Sequence, residues 1–223
     1  MAHDYQLKSI VLGLENWAID CGKLGKFLNL RAKAIGTKPF EETKLVEPTM
    51  PPPSPTASLK RAADLLDHVV DRNDDTVVFL RGTPTKTVKP VPPAVKTIPT
   101  REENIRLIIH WLSATSGFFK SILRLYGEEP HPVPPAPHPG PKGEAFLLAE
   151  ATAWIEKIGI DADSFAAAQK IPHDPSKPHY DTSAEGSDID ASLIRIELGL
   201  HKIAQDVGAI GSVLPYHLLR TVQ

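Results

Sequence analysis

The chain has 223 residues, with 25 Lys and Arg against 27 Asp and Glu, a formal net charge of -2, one cysteine and 22 prolines. That length supports a sizeable core, and a 41% hydrophobic share excludes a wholly disordered polymer. The charge balance excludes a global basic field for a phosphate backbone, the lone Cys21 excludes an intrachain disulfide framework, and 14 glycines without a Gly-X-Y period exclude collagen.

Proline lacks a backbone N–H and its ring clashes with the preceding turn, so its positions mark where helix interiors cannot be. Twenty-one of the 22 prolines lie in four clusters, at 39–55, 84–99, 130–141 and 172–178. They leave five proline-free blocks, residues 1–38, 56–83, 100–129, 142–171 and 179–214, with Pro215 standing apart.

In the first block Leu7, Ile10, Leu14, Trp17, Cys21, Leu24 and Leu28 recur at alternating steps of three and four, which predicts a long helix with one apolar stripe. The second block predicts a shorter helix around Ser58–Asp71, followed by a strand at Thr76–Arg81, where β-branched and aromatic residues concentrate. Its pairing partner would be the 88–98 segment or another chain. The third block carries the series Ile105, Ile108, Leu112, Thr115, Phe119, Ile122 and Tyr126, with Thr100 and Glu103 placed as a capping box. In the fourth, a short helix is expected at Gly143–Ile158 and a further short one at Asp163–Lys170. The last block repeats the stripe in Leu193, Ile196, Leu200, Ile203, Val207, Ile210 and Leu214, after a start marked by Ser187, Asp188 and Asp190. Gly36, Gly127 and Gly159 are expected at helix C-termini.

The fold class expected is therefore all-α: a bundle of three long and two or more short amphipathic helices in a single domain, 1–223, joined by extended proline-rich arms. Residues 12–28 and 198–214 align without gaps, sharing Leu12/Leu198, Gly13/Gly199, Leu14/Leu200 and Asp20/Asp206 among other pairs. Two readings stand: an internal pseudo-repeat, or two amphipathic helices in the same phase. Gly22, Gly25, Gly208 and Gly211 each cost about 1 kcal/mol against alanine in a helix interior, and are expected where helices cross closely or meet a partner helix.

Chemistry-bearing motifs are sparse. His173, Asp174, His179 and Asp181 cluster in a proline-stiffened loop, but their spacing fits no standard metal site, and a solvated loop is the expected reading. His131 and His138 lie in a polyproline run that spreads them apart, and His68, with Asp67 and Asp71, falls at the edge of a helix face. Cys21 lies on the core stripe, where a thiol behaves as a small hydrophobe. Nucleophile-elbow, Walker and dinucleotide motifs do not occur.

A basic arm, Arg81, Lys86, Lys89, Lys96 and Arg101, contains no acid, whereas 181–190 contains four acids and no base. Both serve as solvated connectors, or the basic arm docks on an acidic surface of its own chain or a neighbour's. Aromatic stacking for single-stranded nucleic acid is lacking there. No signal-peptide pattern is seen at the amino terminus, and the longest stretches without a charged residue, at 107–119 and 207–219, are each 13 residues. A spanning helix needs about 20. A cytoplasmic protein, or one within a particle assembled there, is expected.

Long connections without secondary structure are usually functional, linking or disordered. The functional expectation is a non-catalytic structural protein of a multisubunit particle, a virion-like component first, whose arms contact neighbouring subunits of the same or another kind. No cofactor, metal, nucleic acid or transmembrane segment is expected. The alternatives are a helical adaptor presenting the polyproline runs at 50–55 and 130–141, and an enzyme with a dispersed His/Asp metal site.

Overall fold

A computed structural model describes residues 2–34, 36, 50–81, 89–94, 98–132, 143–171 and 189–220. Five helices cover most of them: α1 (Ala2–Ala34), α2 (Pro55–Arg81), α3 (Arg101–Leu125), α4 (Glu144–Ala168) and α5 (Ile189–Arg220). No strand occurs among the described residues, and no helix there is long and apolar enough to cross a membrane.

Three expectations are corrected, the shortest being that α5 does not stop before Pro215 but runs through it to Arg220. The second block is one helix of 27 residues, so Thr76–Arg81 is helical rather than a strand. Its core stripe continues through the buried Asn73 and Thr76, polar residues that hide the period, and the helix runs on through the β-prone Val77 and Val78. The fourth block is likewise a single helix of 25 residues running through Gly159. Gly159 is buried in its interior, where a Cβ would lie 3.9 Å from Ile203 Cγ1. All five helices are therefore long, at 25 to 33 residues.

The helix ends follow local chemistry. Ser54 Oγ accepts from Ala57 N at 3.2 Å, capping α2 with Pro55 in its first turn. Thr100 and Glu103 form the expected capping box at α3. Past α3, Gly127 takes a left-handed φ of +78°, so Glu128 N can reach Leu123 O at 3.0 Å. Lys170, at φ 53°, does the same for α4 and brings Ile171 N to Ala166 O at 2.9 Å.

The helices form a ring. α1 packs on α2 and α5, α2 on α3, α3 on α4 and α4 on α5, and no other pair comes together. Cross-helix contacts fix their directions. At one end His3 meets Asp190 at 2.8 Å, and the Arg101 guanidinium bridges both Glu144 oxygens, with Nε at 3.1 Å from each. In the middle Arg61 meets Glu15 at 3.2 Å and Arg195 meets Glu156 at 2.5 Å. Near the other end Cys21 Sγ lies 3.6 Å from Asn73 Oδ1, and the Tyr126 and Phe165 rings are 5.3 Å apart. Residue numbers rise together along α1–α2 and α3–α4, and likewise from His3–Asp190 through Ser9–Glu197 to Asp20 beside Gly208, and from Glu156–Arg195 to Asp163–Lys202, so the paired helices run parallel.

Two axial cavities complete the assignment for α2 and α3. One, of about 20 Å³, is walled by Leu14, Leu66, Leu112, Ile155 and Leu200, one from each helix. The second, of about 30 Å³, takes Leu24, Thr76, Ile122, Phe165 and Ile210 from the same five. The step-of-three-and-four stripes thus meet in layers at matching heights, as in a parallel coiled coil. Trp17, fully buried on α1, falls between the two cavities and lines neither. Each fully buried aliphatic side chain in these layers contributes roughly 1.5–3 kcal/mol.

A parallel ring dictates the connections. Each must return from the C-terminal end of one helix to the N-terminal end of the next, about 37 Å for a 25-residue helix. Connections of roughly 20 residues have that reach when extended at about 3.1 Å per residue, the polyproline rise.

Candidate functional site

The axis is filled rather than hollow. The cavities of about 20 and 30 Å³ have room for no more than a water molecule or two, and their almost wholly apolar walls offer water few partners. Cys21 is sequestered there, and burial pushes its thiol up to about 12, which removes thiolate reactivity at neutral pH.

Described parts of two connections rest on the outside of the ring. Lys89 inserts its ammonium between Asp67 Oδ1 at 2.5 Å and Asp71 Oδ1 at 2.8 Å, both on α2, and lies 5.1 Å from the centre of the Trp111 ring on α3. Burial alone would lower this ammonium, but the two carboxylates outweigh it and hold Lys89 above its usual value. The contact lies midway along α2 and α3, as a returning segment requires. On α4, Asp161 Oδ1 accepts the His131 N–H at 2.8 Å. Its other oxygen pairs with Lys157, one turn earlier, and both side chains are almost wholly buried.

A second polar group lies between α4 and α5. Lys202 reaches Asp163 at 3.1 Å and Asp206 at 2.5 Å. Burial pushes the Asp206 carboxyl up to about 6, against the opposing pull of Lys202. Burial likewise lowers Lys202, and its two carboxylate partners outweigh that and leave it raised.

The outer face of α1 and α5 differs from the rest. Tyr5, Leu12 and Leu30 on α1 and Ile194 and Leu198 on α5 are exposed, and among the helix residues whose side chains are described Leu125 is the one other large apolar side chain exposed. Outward positions of α2 and α3 carry charges such as Asp64, Asp71, Arg106 and Lys120, and the outward Phe146, Ala153 and Ile160 of α4 are half-covered.

Among the residues singled out from the sequence, Gly208 faces α1, where a Cβ would lie 3.4 Å from Asp20 Oδ2. Gly25 instead faces α2, with Arg72 Cδ at 3.8 Å, and Gly22 is buried on α1. The surroundings of Gly211 lie outside the described residues. The tightest glycine contact is elsewhere: a Cβ on Gly199 would sit 2.4 Å from Ile155 Cγ2, whereas one on Gly13 would sit 3.4 Å from Leu200 Cβ, no closer than at Gly208.

Within the basic arm, Lys89 and Arg101 make the intrachain ion pairs given above. Lys86, Lys96 and the Arg81 side chain lie outside the described residues, as do His138, His173, Asp174, His179 and Asp181. Among the described residues no group of three or more His, Cys, Asp or Glu is placed to hold a metal ion. The Lys157–Asp161 pair was missed because a Lys and an Asp one turn apart usually mark a solvated face. The signal was that α4 is apolar around most of its circumference, so its outer side had to be covered.

Compared with known proteins, the chain matches no family model, no curated sequence and no solved structure.

Proposed function

We propose that this chain is a non-catalytic building block of a multisubunit particle, with a virion-like component as the first context. The five-helix ring is the body that packs against neighbouring subunits, and the extended arms add contacts. The observation that carries the reading is the apolar outer face of α1 and α5. Among helix residues whose side chains are described, five of the six exposed large apolar side chains lie on these two helices, and concentrated apolar exposure marks association surfaces. The small axial cavities also favour a packing element over an enclosed reaction chamber.

The finer architecture belongs to the same proposal. Each of the first four helices is followed by a proline-rich return arm, and α5 repeats the helical part of this unit, which makes a pseudo-repeat. The gapless alignment of 12–28 with 198–214 supports this, because its aligned pairs Leu14/Leu200 and Leu24/Ile210 line the same cavities on parallel, adjacent helices.

A helical adaptor is the second reading, favoured by Pro90–Ala94, which stays exposed throughout. The native size of the protein in its own source tests the main reading. Elution in a particle several times the monomer mass is expected, and a monomer alone would contradict it.

A further inference from the structure

We propose that residues 89–94 are a docking ligand for a polyproline-reading domain, one whose groove is lined with aromatic side chains. The inference rests on the adaptor reading above and names its partner.

The backbone of this segment is restricted before any partner arrives. Every residue from Lys89 to Pro93 either is a proline or precedes one. Proline locks its own φ near about -65°, and its ring confines the residue before it to extended geometry. Together these restrictions favour polyproline II, which has about three residues per turn and no internal hydrogen bonds. The segment accordingly lies in neither helix nor strand. A ligand already held in its bound conformation loses less entropy on binding than a flexible peptide does.

Exposure selects this run over the other described ones. From Pro90 to Ala94 every residue is exposed, Val91 at 86%. In the run that leads into α2, Pro52, Ser54 and Pro55 are half-buried, Ser54 caps the helix and Pro55 begins it. After α3, Pro130 is half-buried and the His131 N–H is committed to Asp161.

Lys89 sets the direction in which the segment faces. Its ammonium is held by Asp67, Asp71 and the face of Trp111, so the edge of the polyproline helix that carries Lys89 is turned toward α2 and α3. Pro92 follows one turn later on that edge, and the length of the lysine stem leaves it exposed. The other two edges carry Pro90 with Pro93 and Val91 with Ala94, and both are open to solvent. A groove that seats two edges of a three-sided helix leaves the third free, and here the third is the edge that Lys89 ties to the protein. Proline rings and Val91 are apolar and uncharged, so their burial against aromatic side chains is favourable.

Calorimetric titration of the intact chain with a panel of purified SH3, WW and EVH1 domains, which read polyproline II segments, tests this. At least one domain is expected to bind, and Pro90→Ala with Pro93→Ala should weaken that binding about tenfold or more. Both positions lie outside the helices, so circular dichroism should show unchanged helix content. The free 86–97 peptide should bind the same domain more weakly than the chain, and Lys89→Ala should bring the chain toward the peptide's affinity. Binding by no domain of the panel would overturn the proposal and the adaptor reading together. Binding that survives the double substitution would overturn the proposal while leaving the adaptor reading to another proline run. A peptide that binds more tightly than the chain, with Lys89→Ala strengthening the chain, would show that the groove needs the Lys89 edge, and would also overturn the proposal.

Discussion

Asp206 illustrates how the ring sets the chemistry of a single side chain. It is 3% exposed, and burial raises its carboxyl to about 6 in spite of Lys202. The folded chain therefore holds this proton more tightly than the unfolded chain does. The sign follows from linkage: the Asp206 contribution is most favourable below the ordinary carboxylate range near pH 4, becomes less favourable as pH rises toward about 6, and is level above that. Replacing it with Asn removes the ionisation. Thermal melts from pH 3.5 to 7 should show Asp206→Asn gaining about 1–2 kcal/mol on the parent chain between roughly pH 4 and 6. A constant difference, or a gain toward acid, would contradict this account. Nothing in the sequence marks Asp206, because an i,i+4 Lys–Asp pair looks the same on a solvated face and in a closed seam. The Lys157–Asp161 pair was hidden in the same way, since its burial depends on the path of the chain around it. Cys21 was legible, because the stripe that contains it is unbroken.

At the scale of the element, the stripes of α1, α3 and α5 were legible because nearly all their core positions are apolar. In α2 the stripe passes through Asn73 and Thr76, and in α4 it crosses Gly159, so the period faded where packing is tolerant of polar or small residues. The same contrast governs the glycines. Gly25 and Gly199 look alike as helix-interior glycines, but only Gly199 is pressed by a branched carbon, with Ile155 Cγ2 at 2.4 Å from an added Cβ. Gly199→Ala should therefore lose about 1–3 kcal/mol through overpacking, whereas Gly25→Ala should gain up to about 1 kcal/mol from helix propensity. Urea unfolding of both variants measures this. Equal effects would mean that the α4–α5 approach is looser than the ring requires. Proline clusters act at the same scale, since each proline restricts the unfolded chain.

For the whole molecule, the all-α class was legible, whereas the lengths of α2 and α4 and the direction of every helix were not. An amphipathic stripe presents the same face to the core whichever way the helix runs. Connection length held the clue: antiparallel neighbours need only about 2–8 residues, and every connection here has roughly 20. Placement of Lys89 midway along α2 and of His131 beside Asp161 then shows the described parts of two connections running back along the ring. The central claim is that all five helices are parallel. Spin-label distances across α2 and α3 test it most directly, using the exposed positions Lys60, Arg106 and Lys120 on a Cys21→Ala background. Parallel helices place Lys60 level with Arg106 and separate it from Lys120 by a further rise of about 21 Å. The Lys60→Cys/Arg106→Cys pair should therefore give the shorter distance. A shorter distance for Lys60→Cys/Lys120→Cys would mean that α2 and α3 are antiparallel, and would contradict the ring described here.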